Sequence, residues 1–136
     1  MDFLDSMKVA ASGLRAQSGR MRIIAENIAN ADSTATTQGA DPYRRKMPSF
    51  KTALDRETGV SVVEMGPIRQ DRSDFKTRFE PGHPAANDQG YVKLPNVSTL
   101  IETVDMRQAQ RSYEANLNVI QSTRTMMQRT LDILRG

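Results

Sequence analysis

The sequence contains no cysteine, no tryptophan and a single histidine. Without cysteine, the chain has neither disulfides nor thiolate metal sites. Aromatic residues make up only 5% of the composition and hydrophobic residues 38%. That is thin for a globular core, because large aromatic side chains usually supply much of the buried area. Long paired helices need less apolar surface than a globular core, so this composition favours them.

Long apolar runs are also missing. No run approaches the roughly 20 residues that a membrane-spanning helix needs, so we expect no direct membrane insertion. The N-terminus lacks the basic and apolar regions of a cleavable secretory signal, which does not exclude export by a route without one. The net charge is only +3, with basic and acidic residues mixed throughout. The sequence therefore lacks the polycationic face of a nucleic-acid-binding protein.

Sequence motifs for catalysis are absent as well. No P-loop, nucleophile elbow, zinc-protease or dinucleotide-binding pattern occurs. His83 lies between Gly82 and Pro84, with Glu80 and Asp88 nearby, but a metal site usually needs three or four ligands and a general base needs an oriented partner. We interpret His83 as a turn residue. We expect no catalytic residue, no metal and no cofactor, and hence not an enzyme.

Residues 2–30 predict a helix, because apolar side chains recur there at alternating spacings of three and four. Asp2 suits the N-cap and Asp5 the first turn. Gly13 and Gly19 each cost about 1 kcal/mol relative to alanine, so the helix should depend on packing. Such small residues are either simply tolerated in the helix, or they allow another helix to approach it closely. The predicted contact residues form the N-helix stripe: Leu4, Met7, Ala11, Leu14, Met21, Ile24 and Ile28.

Residues 96–136 carry a similar pattern. Thr99-Leu100-Ile101-Glu102 matches a capping box, so this helix should start near Ser98 or Thr99. Its apolar stripe is narrow and suits a partner helix better than a broad core. The C-helix stripe consists of Met106, Tyr113, Leu117, Ile120, Met127, Leu131 and Leu134, with Gln110 and Arg124 as polar interruptions.

The middle of the chain differs from both ends. Residues 31–41 form a loop rich in Thr, Ser, Ala, Gly and Asp. Glu57-Thr58-Gly59 suits a turn between two strands. The candidate strands are Tyr43–Ala53, Val60–Met65, Phe75–Phe79 and Tyr91–Leu94.

The fold class predicted from these patterns is mainly α with a small β insert. Long N- and C-terminal helices pair as a coiled coil, and the middle is an arm rich in β-hairpins. We expect residues 1–34 and 96–136 to form one helical domain and residues 35–95 the arm. Such helix pairing also lets neighbouring chains share helices.

Arg44-Arg45-Lys46 is the one tight basic cluster in the sequence. A nucleic-acid site would need aromatic stacking residues, and only Tyr43 lies beside the cluster. We therefore interpret it as a solvated strand edge, or as one half of salt bridges to an acidic neighbouring chain. No nucleic-acid partner is expected.

Two motifs at the chain ends resemble those of bacterial flagellar rod and hook proteins. Residues 11–17 and 26–34 resemble the N-terminal signature of that family, and residues 111–116 the C-terminal one. Residues 41–46, 80–84 and 90–97 resemble the short proximal rod members, and the likeness covers essentially the whole chain. The motif residues, expected at contacts between subunits, are Asn27, Asn30, Asp41, Pro42, Tyr43, Arg44, Arg45, Pro81, Gly82, His83, Pro84, Gly90, Tyr91, Pro95, Asn96 and Asn116. The chain departs from the family pattern at Glu80, where aspartate is expected, and near Ala85 or Ala86, where a more acidic residue is expected.

The resemblance implies a structural subunit of the proximal rod, which polymerises helically and transmits torque. Such subunits leave the cell unfolded through the flagellar type III apparatus, without a cleavable Sec signal, and assemble in the basal body across the periplasm. The implied partners are copies of itself, other proximal rod proteins, the rod-base adaptor, the distal rod, the surrounding ring proteins and the export apparatus.

A second hypothesis is a cytoplasmic coiled-coil adaptor or export chaperone. It shares the two helices but gives no role to the Pro- and Arg-rich middle. A chaperone should be fully helical and cooperative when dilute, whereas a rod subunit should have frayed ends, so circular dichroism distinguishes them. A third hypothesis, nucleic-acid binding through Arg44 to Lys46, requires strong salt-dependent binding, which we do not expect.

Overall fold

A computed structural model describes residues 2–136, and in that part of the chain it has two long helices and six short strands. The helices are α1 (Phe3–Ala29) and α2 (Thr99–Arg135). The strands are β1 (Lys46–Met47), β2 (Phe50–Leu54), β3 (Ser61–Met65), β4 (Arg69–Gln70), β5 (Lys76–Phe79) and β6 (Tyr91–Leu94). The predicted class, mainly α with a small β insert, is confirmed. Neither helix is apolar enough over a sufficient length to cross a membrane.

The two helices differ in how their N-termini are capped. At α1 the predicted N-cap is confirmed, since the Asp2 carboxylate accepts the Asp5 N–H at 2.8 Å. At α2 the predicted capping box is wrong. The Glu102 N–H donates to the Ser98 carbonyl at 3.0 Å, and the Glu102 carboxylate accepts from Asn27 and Arg45 instead. A cationic partner outcompetes the local backbone contact for this buried carboxylate.

The strands form three separate antiparallel pairs, β1–β4, β2–β3 and β5–β6. The predicted strand Tyr43–Ala53 is therefore wrong as a single element. It breaks at Pro48, which has no N–H, and its two parts pair with different strands. Strand β4 was not predicted, because two residues show no alternation. The predicted turn at residues 57–59 is confirmed: it closes the β2–β3 hairpin, with Gly59 at a φ of 70°.

The described chain divides into two compact units, each with parts of both helices. The first unit combines the chain up to Met21 with Ser49–Pro67 and Arg107–Gly136, and the second combines Arg22–Pro48 with Ile68–Met106. Our division into a helical domain and an arm concerns layers of an assembled protein and stays a prediction.

In the first unit, α1 and α2 lie side by side and antiparallel. A Cβ built on Gly13 would lie 2.7 Å from the Asn116 side chain, and the Arg20 guanidinium donates to the Gln108 side chain at 3.3 Å. The close-approach interpretation of Gly13 is thus confirmed. Any larger residue there would have to displace the Asn116 amide.

The β2–β3 hairpin packs on α1 in the same unit. The Val63 N–H donates to the Ser12 hydroxyl at 3.2 Å, and that hydroxyl donates to the Val9 carbonyl at 2.6 Å. A Cβ on Gly19 would lie 3.1 Å from the Met65 side chain. Both glycines therefore lie where another element approaches α1 closely.

In the second unit a small apolar cluster lies beside β6. Ala85, Ala86 and Val92 are buried together, with Ala35 packed against them. An acidic side chain at position 85 or 86 would place a charge in this cluster, which is costly without a partner. The departure from the family pattern at these alanines is thus consistent with their burial.

The tip of the β2–β3 hairpin is tied to α1 by an ion pair. The Lys8 ammonium lies 2.7 Å from the Asp55 carboxylate, which also accepts the N–H groups of Glu57 at 3.0 Å and Thr58 at 3.2 Å. The hydrogen bond from Lys8, followed by that from the Thr58 N–H, lowers the pKa of Asp55 from 3.8 to about 2.

This pair predicts an acid-dependent loss of stability. Because the pKa of Asp55 is lower in the folded chain, its contribution is fully present above the unfolded pKa of 3.8 and is lost as the pH falls towards 2. Between pH 4 and 2, Asp55→Asn should therefore lose less stability than the wild-type chain. Urea titrations of both proteins across this range measure the difference, and parallel losses would contradict the assignment.

Candidate functional site

The side chain of Asn27 is the centre of a buried polar cluster in the second unit. Asn27 is 0% exposed. Its amide nitrogen donates to the Lys46 carbonyl at 2.8 Å and to the Glu102 carboxylate at 3.2 Å. Its amide oxygen accepts the Tyr43 hydroxyl at 2.7 Å and the Lys46 N–H at 3.0 Å. All the hydrogen-bonding capacity of the amide is used, so this one side chain joins α1, α2 and the segment leading into β1.

Glu102 and Arg45 supply the charges of this cluster. Glu102 is 1% exposed, and the Arg45 Nε donates to its carboxylate. The remaining Arg45 nitrogens lie 3.5 Å from Asp71 and 3.8 Å from Asp105. A buried carboxylate needs such a partner, because an unpaired charge is expensive to desolvate.

Asn96 extends the network to the segment after β4. Its side-chain oxygen accepts the Arg45 N–H at 2.8 Å, and its nitrogen donates to the Asp71 carbonyl at 2.9 Å and the Ser73 hydroxyl at 3.1 Å. The N–H of Ser73, followed by its hydroxyl, lowers the pKa of Asp71. We call Asn27, Tyr43, Arg45, Asn96 and Glu102 the polar cluster. Four of its members belong to the family motifs, namely Asn27, Tyr43, Arg45 and Asn96. These residues are widely separated in the sequence and lie together in the fold.

The basic run at residues 44–46 is bound within its own chain, which corrects our interpretation of it. Arg45 pairs with Glu102, and Lys46 pairs with Glu26 at 2.5 Å. Arg44 lies over the Phe75 ring, 4.2 Å from its centroid. Arg45 and Lys46 are therefore neither a simple solvated edge nor left for a neighbour's carboxylates, because acidic partners in their own chain lie within reach. Among the described residues, Arg44 has the Phe75 ring as its partner and no carboxylate.

Tyr43 has an unusual ionisation in this cluster. Burial, followed by the nearby carboxylates of Glu26 and Glu102, raises the pKa of Tyr43 from 10.0 to about 12. Each of these factors disfavours the phenolate.

Tyr43 therefore predicts an alkaline transition. With a folded pKa above the unfolded one, its contribution is fully present below pH 10.0 and is lost as the pH rises towards 12. Absorbance titration of tyrosinate should contain a component with an apparent pKa near 12, which Tyr43→Phe removes. If this component survives the substitution, the raised pKa belongs to another tyrosine.

Other motif residues order the loops around this cluster. Asn30 donates to the Glu26 carbonyl at 2.9 Å at the end of α1. Asp41 pairs with Lys93 at 3.1 Å. Pro42 and Pro95 are buried.

His83 lies in a turn, as predicted. Its Nδ1 accepts the Ala85 N–H at 3.0 Å, and its Nε2 lies 3.1 Å from the Thr34 hydroxyl. With Nδ1 accepting, a neutral ring carries its proton on Nε2, which donates to Thr34. Its neighbours Gly82 and Pro84 are exposed. The histidine therefore ties the loop after α1 to the turn before β6.

Gly90 and Tyr91 shape the β5–β6 pair. Gly90 has a φ of 84°, and a Cβ there would lie 2.9 Å from the Phe79 ring and 3.2 Å from Pro81. Tyr91 packs edge-on against Phe79, with centroids 5.3 Å apart. Only glycine fits this position without strain.

The C-helix stripe divides into two sets. Met106, Tyr113, Ile120 and Met127 are half-buried, whereas Leu117, Leu131 and Leu134 are exposed. Most low-exposure positions on α2 form two series with seven-residue spacing, and Asp105 and Ser112 are the other two. The series are Glu102, Ala109, Asn116, Thr123, and Met106, Tyr113, Ile120, Met127. The predicted stripe thus matches one series, while small and polar residues, not the predicted leucines, supply the other.

The N-helix stripe is covered unevenly. Ile24 is buried and Leu4 is exposed, while Met7, Ala11, Leu14, Met21 and Ile28 are half-buried. Other α1 residues are more deeply buried than most of the stripe: Ala10, Ala16, Ile23 and Asn27. A role for either stripe between chains stays a prediction.

The C-terminal end of α2 is bare. From Gln128 onwards every residue is exposed, and Ile133 and Leu134 are 79% and 77% exposed. Among the described residues, no group of three or more His, Asp or Glu side chains is arranged to hold a metal. The arrangement suits binding to other chains: the polar cluster fixes local structure, and apolar side chains lie open on a helix.

Comparisons with known proteins agree with this arrangement. A family model described as flagella basal body rod protein matches residues 7–35, and one described as flagellar basal body rod FlgEFG protein C-terminal matches residues 88–133. Each of three relatives is named flagellar basal-body rod protein FlgC. The Agrobacterium fabrum protein is 53% identical, over 95% of this chain and 93% of its own. The Escherichia coli O6:H1 protein is 37% identical, over 98% of each chain. The Bacillus subtilis protein is 38% identical, over 98% of this chain and 99% of its own.

The matches extend over both chain ends and the middle of the chain, and identities of 53% and 37% over nearly the whole length show common descent. They also support a structural role over an enzymatic one, since these relatives are named rod proteins. The chain belongs to the FlgC family of flagellar basal-body rod proteins and is a structural subunit of the rod.

Proposed function

We propose that the chain forms part of the proximal rod, where it polymerises helically and transmits torque. The observation that carries this proposal is the bare end of α2, with Leu131, Ile133 and Leu134 all more than half exposed. A soluble chain rarely leaves so many apolar side chains on one short segment uncovered unless another molecule packs there. For a rod subunit, that molecule is another protein of the rod.

The proposed inner layer consists of the two terminal helices. Residues 1–34 and 96–136 would pair as a coiled coil and pack against the same helices of neighbouring chains. The seven-residue spacing of low-exposure residues on α2 supports this pairing. In this arrangement the exposed members of both stripes, such as Leu4 and Leu131, face other subunits.

Residues 35–95 would form the outer arm. The helices of the inner layer would share the torsional load through their many contacts and give the assembly its stiffness. The arm would then set the spacing to neighbours, with its three short strand pairs as separate contact elements. Its partners would be other proximal rod proteins, the rod-base adaptor, the distal rod and the surrounding ring proteins.

The chain would reach this place through the flagellar type III export apparatus, without a cleavable Sec signal. Transit through a narrow channel requires an unfolded chain, which suits a subunit of low stability. The long bare helix end supports low stability, because an isolated helix end gains little from propensity alone.

Electron cryomicroscopy of purified basal bodies tests the proposal. The chain should be found at the end of the rod nearest the export apparatus, with α1 and α2 near the axis and residues 35–95 further out. A position in the distal rod, or an axial arm with peripheral helices, would contradict it.

A further inference from the structure

A groove in the second unit is lined by arginines. Its volume is about 700 Å³, and its lining residues are Arg44, Met47, Arg69, Gln70 and Arg72. We call it the arginine groove. None of these lining residues is acidic, so three positive charges lie around one concave surface.

Arg44 is held rigidly in place by uncharged groups. Its guanidinium donates to the carbonyls of Asp71 at 3.0 Å and Ser73 at 3.2 Å. It also stacks over Phe75, 4.2 Å from the ring centroid. These contacts fix the guanidinium without neutralising its charge, so little conformational entropy remains to be lost when it binds an anion.

Arg69 and Arg72 are exposed, and within residues 2–136 neither has a carboxylate oxygen within the 4.0 Å that defines an ion pair. The acidic residue between them in sequence is already engaged. The Asp71 carboxylate lies 3.5 Å from Arg45 and accepts the Ser73 N–H at 2.9 Å. The fold thus directs the nearby negative charge into the polar cluster and leaves the groove positive.

We propose that the arginine groove binds an acidic segment of another protein in the rod, an inference that rests on the proposed function. Guanidinium groups match carboxylates in a planar, two-point geometry. Met47 adds an apolar contact and Gln70 an amide, which suits a peptide segment. A nucleic acid would need a free aromatic face for stacking, and the Phe75 face is covered by Arg44.

Peptide binding to the full chain tests the charge recognition. The probes are fluorescein-labelled hexaglutamate and hexaglutamine, measured by fluorescence anisotropy near physiological ionic strength, about 0.15 M. The groove variant is Arg69→Gln with Arg72→Gln. The control, Arg56→Gln with Arg129→Gln, removes the same charge from exposed arginines outside the groove. Circular dichroism verifies that both variants fold.

Hexaglutamate should bind the wild-type chain and the control alike, and bind the groove variant about tenfold or more weakly, since two charge contacts are lost. Hexaglutamine should not bind. The proposal is overturned if hexaglutamate fails to bind or if both variants weaken it equally. It is also overturned if inorganic phosphate or duplex DNA competes as well as free hexaglutamate.

Crosslinking in assembled basal bodies tests the partner. A photoreactive p-benzoylphenylalanine replaces Gln70, and the attached tryptic peptide is identified by mass spectrometry. A peptide rich in Asp or Glu from a rod protein supports the proposal. If the chain is present in the basal bodies and yields no such peptide, the groove assignment fails while the proposed function stands. If the chain is absent from wild-type basal bodies, both fail.

Discussion

Leu131→Asp is expected to abolish rod assembly while leaving the isolated chain as helical as the wild type. Leu131 is 56% exposed in a single chain, so the substitution should cost the free subunit only about 0.5–1 kcal/mol through surface and helix-propensity effects. In the proposed contact between chains the same aspartate would be buried without a partner, at roughly 3 kcal/mol or more per interface. Motility in soft agar, electron microscopy of basal bodies and circular dichroism measure the three outcomes.

Asn118→Asp is the matched control, since Asn118 is exposed on the same helix and the charge changes by the same amount. It lies nearly opposite the C-helix stripe at about 100° per residue, so it should assemble normally. Export of both variants into the medium must match the wild type. Complete rods and normal motility with Leu131→Asp would show that position 131 makes no contact between chains.

The helices could be predicted well because their signals are local. The alternating spacing of apolar residues and an acidic N-cap depend only on neighbours along the chain. Asp2 caps α1 as predicted, and α2 begins at Thr99 within the predicted start. The turn of the β2–β3 hairpin could be predicted for the same reason, since it carries a glycine at positive φ.

Which side chains of α2 face the rest of the chain could be predicted only in part. Hydrophobicity favours Leu117 over Asn116 as a contact residue, yet Asn116 faces Gly13 and Leu117 is exposed. Which side of a helix faces its own chain depends on the shape of the partner. A glycine on α1 makes room for a small polar group that a hydrophobicity pattern ignores.

The polar cluster was beyond reach from the sequence alone. From the sequence, Glu102 is interpreted as part of a capping box. Its partner Arg45 is far away along the chain, in a basic cluster that is interpreted as a solvated strand edge. One feature of the sequence pointed to its burial: Glu102 lies seven residues before Ala109, so both lie on the same face of α2. The family resemblance identified Asn27, Tyr43 and Asn96 singly, but only the fold brings them together.

Asn27→Ala is expected to lower the free energy of unfolding by about 2–4 kcal/mol. The substitution removes an amide that makes four hydrogen bonds, to Tyr43, Glu102 and two backbone groups of Lys46. Several of these groups would be left buried without a partner, at about 1–3 kcal/mol for each unsatisfied group less what water recovers. Urea denaturation of the purified chain, followed by far-ultraviolet circular dichroism, measures the change.

Asn118→Ala serves as the control for Asn27→Ala, because it deletes the same amide from an exposed helical position. Its effect should stay within about 0.5 kcal/mol. Tyr43→Phe, which removes a single donor to Asn27, should fall between the two at about 1 kcal/mol. A loss below about 1 kcal/mol for Asn27→Ala would mean that the cluster does not stabilise the free chain. The motif asparagine would then matter only in the assembled rod, because a residue that orders the monomer must show its effect before any neighbour is present.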